Sequence, residues 1–114
     1  MRDIRDSLKD IQHYALFAQR IVNTQSLENL ENDETTALAF IRSMEIIGEA
    51  AKQVTAENRL KYAQVPWRNW AGLRDKLTHA YFEVDLEIVF KTANDHIPVL
   101  LTTVEQMLED FGNE

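Results

Sequence analysis

Apolar residues near the start of the chain recur at Ile4, Leu8, Ile11, Ala15, Ala18 and Val22. Steps of three and four place all six on one face of a helix, so the pattern predicts a helix from Arg2 to about Thr24. Asp3 and Asp6 stand in its first turns, where the helix dipole favours acids. The period is lost over QSLENLEND (25–33). That stretch predicts a loop, with room for a helical turn around Leu27 and Leu30, and Asn32 or Asp33 can cap the next helix. The next stripe, Leu38, Ile41, Met44, Ile47/Gly48, Ala51 and Val54, predicts a second helix over roughly 33–57. Gly48 inside it costs about 1 kcal/mol relative to Ala. A close helix crossing there, helped by Ala50 and Ala51, is the expected compensation.

Residues 58–65 connect to Pro66, and proline suits the first turn of a helix. A third helix is expected from Pro66 to His79, with Trp70, Leu73 and Leu77 facing inward. The pattern breaks over 82–85, where Asp85 is a good cap with Glu87 behind it. A fourth helix runs through Leu86, Val89/Phe90 and Ala93 and resumes at Leu101, Val104, Leu108 and Phe111. Pro98 lies between these two stretches. It removes one backbone donor, so a kink or break is expected near 95–97. The whole predicts an all-α, up-and-down bundle of four main helices with the last one kinked near Pro98. A chain of 114 residues, 45% of them hydrophobic, suits one such domain over 1–114. So small a domain exposes much of its surface, which makes oligomerisation a fair expectation.

Composition narrows the function. There is no cysteine, so disulfides, thiolate metal sites and a Cys nucleophile are excluded. The charged N-terminus lacks a signal-peptide core, and no run approaches the roughly 20 apolar residues of a membrane span. A cytoplasmic protein is expected. The net charge of −7 argues against non-specific nucleic-acid binding, but its distribution is uneven. Residues 66–81 carry Arg68, Arg74 and Lys76 against Asp75 alone, while 82–114 carry Lys91 against eight acids. A local anion site is therefore possible on an acidic protein. No His-Glu-x-x-His, Gly-rich phosphate loop or EF-hand loop occurs.

The net-positive segment contains LRDKLTHAYFEVD (73–85), which gathers Arg74, Asp75, His79 and Tyr81. Asp75 and His79 are four apart and share a helix face, so the carboxylate could orient the imidazole. Arg74 and His79 are five apart, about 140° around the axis at about 100° per residue. They can meet if the helix ends early, or if a dimer axis brings two Arg and two His into one cleft. Such a cleft suits RNA phosphodiester cleavage without a metal. The His exchanges protons with the 2′-hydroxyl or the leaving oxygen, and the Arg clamps the phosphate. Spacing alone favours instead a structural Arg–Asp–His network at a helix end, because structural ion pairs share this pattern. His13 and His96 carry no comparable cluster. Trp67 and Trp70 read as core or interface anchors, since buried aromatics dominate packing.

Arg74, four residues, His79, one residue, Tyr81 resembles the motif of HEPN-domain proteins. RSMEIIGEAAKQV (42–54), PWRNWAGLRDKLTHAYFEVD (66–85) and LEIVFKTANDHIPVL (86–100) together resemble the HepT-like family, the toxin halves of HepT–MntA toxin–antitoxin pairs. The resemblance runs over nearly the whole chain. It implies a HEPN-like bundle that dimerises and a metal-independent endoribonuclease with no cofactor. It implies Arg74 and His79 as the catalytic pair at a composite homodimer cleft, supported by Asp75 where the family often has Asn. It implies Tyr81 as the residue that a minimal nucleotidyltransferase antitoxin adenylylates from ATP to silence the toxin. Arg68 and Lys76 are candidate contacts to RNA phosphates, with Arg42 a weaker candidate for lining the cleft. A different reading remains open: a non-catalytic partner or substrate-binding subunit of that nucleotidyltransferase, with Tyr81 only a modification target.

Overall fold

The computed structural model describes residues 2–80 and 83–112. Tyr81 lies outside them. The described residues form six helices and no strand: α1 (Ile4–Thr24), α2 (Leu27–Glu31), α3 (Glu34–Ala51), α4 (Ala56–Lys61), α5 (Trp67–His79) and α6 (Leu86–Gly112). The fold is all-α, as the periodicity predicts. Four of the helices have 13 or more residues, and α2 and α4 are short.

Local chemistry sets most helix starts. The Asp3 carboxylate accepts from the Arg5 backbone N–H, Ser26 Oγ from Asn29, Asp33 Oδ1 from Thr36 and Thr55 Oγ1 from Asn58. Each satisfies a donor that the first helical turn leaves unpaired. Asp85 does the same for the Glu87 N–H at 2.9 Å. Pro66, which has no N–H to orphan, precedes α5 as its N-cap.

The long helices pack in an order that matters for the site. α1 lies against both α3 and α6, and α5 lies chiefly against α3. Leu8, Ile11, Phe40, Met44, Ile47, Ile97, Leu100, Val104 and Met107 fill the centre with essentially no exposure. Trp67 and Trp70 are buried in the same core, and Trp67 Nε1–H donates to the Tyr62 carbonyl at 3.0 Å. The packing reading of both tryptophans therefore holds within one chain.

Three sequence expectations need correction. The helix expected over 33–57 ends at Ala51, and a separate short helix starts at Ala56. Thr55 makes the difference: its hydroxyl caps α4, and Arg59 donates back to the carbonyls of Ala51 and Val54, closing the end of α3. The stripe of α3 is also rotated. Leu38 is 43% exposed, and Phe40 takes the buried place. Finally, of the kink or break expected near Pro98, the break does not occur: α6 continues from Leu86 to Gly112 with the proline inside it. The ring sits on an exposed stretch, so the carbonyl it deprives of a partner, that of Asn94, can face water. Ile97 and Leu100 are fully buried and hold the helix on either side of it.

Gly72 differs from Gly48 in its surroundings. A Cβ added at Gly72 would meet nothing within 4 Å. Gly72→Ala is therefore expected to stabilise the isolated chain by about 0.5–1 kcal/mol, read as a rise in melting temperature. A fall would mean that the outer face of α5 is already covered in solution.

Candidate active site

The site is built on the crossing of α3 and α5. A Cβ at Gly48 would lie 2.5 Å from both the Arg74 Cβ and the Trp70 carbonyl oxygen. Only hydrogen fits there, so the glycine allows the α5 backbone to lie directly on α3. This is the close crossing that a glycine inside a helix suggested. It also sets where Arg74 begins: the stem of that arginine is pressed against α3 from its first carbon.

From there the Arg74 guanidinium is held by two carboxylates. Its Nε lies 2.6 Å from Glu49 Oε2, and its NH1 donates to Asp75 Oδ1 at 3.1 Å. Asp75 is bonded in turn to Lys52 Nζ. The result is a chain of alternating charge, Glu49–Arg74–Asp75–Lys52, with its outer members both beside the Gly48 end of α3. The Lys52 ammonium, and after it the Arg74 guanidinium, keep the Asp75 carboxyl below the usual carboxylate range. Asp75 and His79 share the outer face of α5 but are not hydrogen-bonded to each other.

Arg74 faces a cleft of about 390 Å³ between α1, α3 and α5, lined by Asp10, Tyr14, Arg42, Glu45, Ile46, Glu49 and Arg74. Arg42 thus lines the same cleft as Arg74, and it is paired with Glu45. Asp10 is taken by Arg2 at 2.7 Å. Two arginines here stand among three acids.

His79 is the last residue of α5 and is exposed. The helix does not end before it, so within one chain Arg74 and His79 remain about 140° apart around the axis. His79 is not among the residues lining the Arg74 cleft. Arg68 is exposed in the first turn of α5. Lys76 lines a different hollow of about 290 Å³, with Trp70, Leu73 and His96, on the side of α5 that faces α6. Arg68, Arg74, Asp75, Lys76 and His79 therefore share α5 but divide over its faces, while Arg42 stands on α3 and Tyr81 lies outside the described residues. Glu49 and Lys52, the partners of Arg74 and Asp75, were missed by sequence reasoning. The usable signal was Gly48: residues one and four positions after a crossing glycine flank the opposing helix.

Comparison with known proteins decides the family. The family model described as "Ribonuclease HepT-like" matches residues 4–107. The chain belongs to the HepT-like ribonuclease family. Among its relatives is a protein of Caldanaerobacter subterraneus subsp. tengcongensis named "Putative RNase TTE0752". It is 39% identical over 109 residues, covering 96% of this chain and 97% of the relative. Another, named "Probable ribonuclease HepT", comes from Thermococcus cleftensis. It is 36% identical over 106 residues, covering 93% of this chain and 96% of the relative. No solved structure gives a significant match. Among the described residues of this HepT-like chain, no helix is long and apolar enough to cross a membrane.

Proposed function

We propose that the chain is the toxin half of a toxin–antitoxin pair, an endoribonuclease that needs no metal and works as a homodimer. The observation that carries this reading is the placement of Arg74: a guanidinium seated on a glycine crossing and facing a cleft, on the helix whose exposed end is His79. Membership of the HepT-like family supports RNA as the substrate. The angular separation of Arg74 and His79 supports a composite site, because a second copy can supply the partner that one chain keeps on another face.

In that site, one imidazole takes the proton from a 2′-hydroxyl as its oxygen bonds to the neighbouring phosphorus. The P–O5′ bond breaks, and an imidazolium returns a proton to the leaving oxygen. The products are a 2′,3′-cyclic phosphate and a 5′-hydroxyl. Arg74 stabilises the charge that builds on the non-bridging oxygens. Arg42 in the same cleft can hold an adjoining phosphate, and exposed Arg68 and Lys76 can contact the strand outside it.

Silencing fits the same site. A partner nucleotidyltransferase of the MntA type would join the Tyr81 oxygen to the α-phosphorus of ATP and release pyrophosphate. Tyr81 stands two residues past His79, so the added AMP would bring bulk and negative charge beside the phosphate site. One observation favours the second reading, a non-catalytic partner of the nucleotidyltransferase: both arginines of the cleft are already paired with carboxylates.

The two readings separate in one assay. Purified protein, with unmodified mass verified, is incubated with structured RNA in EDTA. Cleavage leaving cyclic phosphate ends is expected. No cleavage of any of several RNAs, together with tight binding to the nucleotidyltransferase, would establish the second reading instead.

A further inference from the structure

Arg74 is the residue on which the proposed chemistry depends, and it is paired with acids on both sides. A paired arginine can be masked or it can be aimed. The donor count separates the two. A guanidinium carries five N–H donors. Glu49 Oε2 lies 2.6 Å from Nε as an ion pair, and Asp75 takes one donor of NH1. The other NH1 donor and both NH2 donors take no partner among the described residues. Both NH2 donors, and the NH1 donor that Asp75 leaves, are therefore available to a phosphate while both carboxylates stay in place.

The rest of the geometry points the same way. Arg74 is only 25% exposed along its side chain, and its Cβ is fixed by the Gly48 crossing. Glu49 is the residue next to that glycine, on the opposing helix, and its closest approach is to the inner nitrogen. A carboxylate at the inner nitrogen fixes the plane of the guanidinium and leaves its far edge turned outward. We propose that Glu49 is a positioning residue for Arg74: it sets the guanidinium plane so that its free edge presents a bidentate site to the RNA phosphate.

This inference rests on the endoribonuclease reading, and its test separates the two. Single-turnover cleavage is measured for wild type, Glu49→Ala, Glu49→Gln, Arg74→Ala and Glu49→Ala/Arg74→Ala. Glu49→Ala is expected to lower the maximal rate about 10- to 100-fold, the scale of a catalytic group misplaced by about an ångström. The RNA concentration giving half-maximal rate should change far less. Glu49→Gln keeps the length of the side chain and an oxygen beside Nε and should recover most of the loss. In the Arg74→Ala background, removing Glu49 should cost nothing further, because the group it aims is gone. Glu49 is 53% exposed, so its variants should melt with the wild type. An additive loss in the double variant, or an unchanged rate in Glu49→Ala while Arg74→Ala is dead, overturns the positioning role and leaves the ribonuclease reading standing. Faster cleavage by Glu49→Ala would make Glu49 a mask and overturn it equally. Wild-type protein that cleaves no RNA overturns both.

Discussion

His79→Ala is expected to lower RNA cleavage by about 100- to 10,000-fold, the range of general acid–base catalysis. Arg74→Ala should cost about 100- to 1,000-fold, the scale of removing one donor that stabilises developing negative charge. The two variants should differ in everything else. His79 is exposed at a helix end with no hydrogen-bond partner among the described residues, so its alanine variant should melt with the wild type. Arg74 closes an ion-pair chain between two helices, so its loss leaves Glu49 without its cation and deprives Asp75 of one of its two. A modest drop in melting temperature should accompany it. Initial rates in EDTA, together with sedimentation of the same samples, check this. Cleavage by His79→Ala at the wild-type rate would remove the imidazole from the mechanism. A wild-type enzyme that is fully active as a monomer would remove the composite cleft, since one chain holds the pair on different faces of α5.

The second large effect is on the fold. Gly48→Ala adds a carbon 2.5 Å from the Trp70 carbonyl oxygen and 2.5 Å from the Arg74 Cβ. Neither is the far end of a flexible side chain, so α5 itself has to move away from α3. Overpacking of this kind costs about 1–3 kcal/mol, and the backbone contact argues for the upper part of that range. Better helix propensity returns about 1 kcal/mol, so the net loss expected is about 1–2 kcal/mol. At about 4 °C or more per kcal/mol for a domain of this size, thermal unfolding detects it easily. Activity should fall further than the unfolded fraction explains, because Arg74 travels with α5. Gly72→Ala, on the open face of the same pair of helices, is the control and should move stability the other way. Equal and small effects at the two glycines would refute the crossing.

How much of this could be read from the chain depends on the range of the interaction. The period of apolar residues is local, and it placed α1, α3, α5 and α6 and the inward Trp70 and Leu77. The Gly48 crossing was legible too, because a helix interior rarely keeps a glycine without a neighbour close by. The errors arose where two local rules competed. Leu38 and Phe40 both suit an apolar stripe, and only the position of the other helices buries one and exposes the other. Thr55 is a fair helix residue and a better cap, and the cap won. Pro98 predicts a kink or a break from its ring alone, and the break is avoided because on an exposed stretch the unpaired carbonyl can turn to water. For the site, Arg74, Asp75 and His79 are neighbours in sequence and could be grouped from their spacing. Their true partners, Glu49 and Lys52, are more than 20 positions away and are brought in by the crossing. No periodicity carries that information.

The Gly48 crossing seats the fold and the arginine at the same point, and this has a consequence for the genetics of the locus. Under the proposed function, mutations by which a host escapes the ribonuclease are not equivalent routes. A side chain larger than alanine at position 48 would take the fold and the proposed activity together, leaving little folded protein to bind an antitoxin or a wild-type copy. In the proposed dimer, a change at His79 would leave a folded, silent subunit able to pair with an active one. The two routes would be told apart by dominance: loss at the crossing behaves as a null allele, whereas loss at the helix end interferes with the wild-type gene beside it.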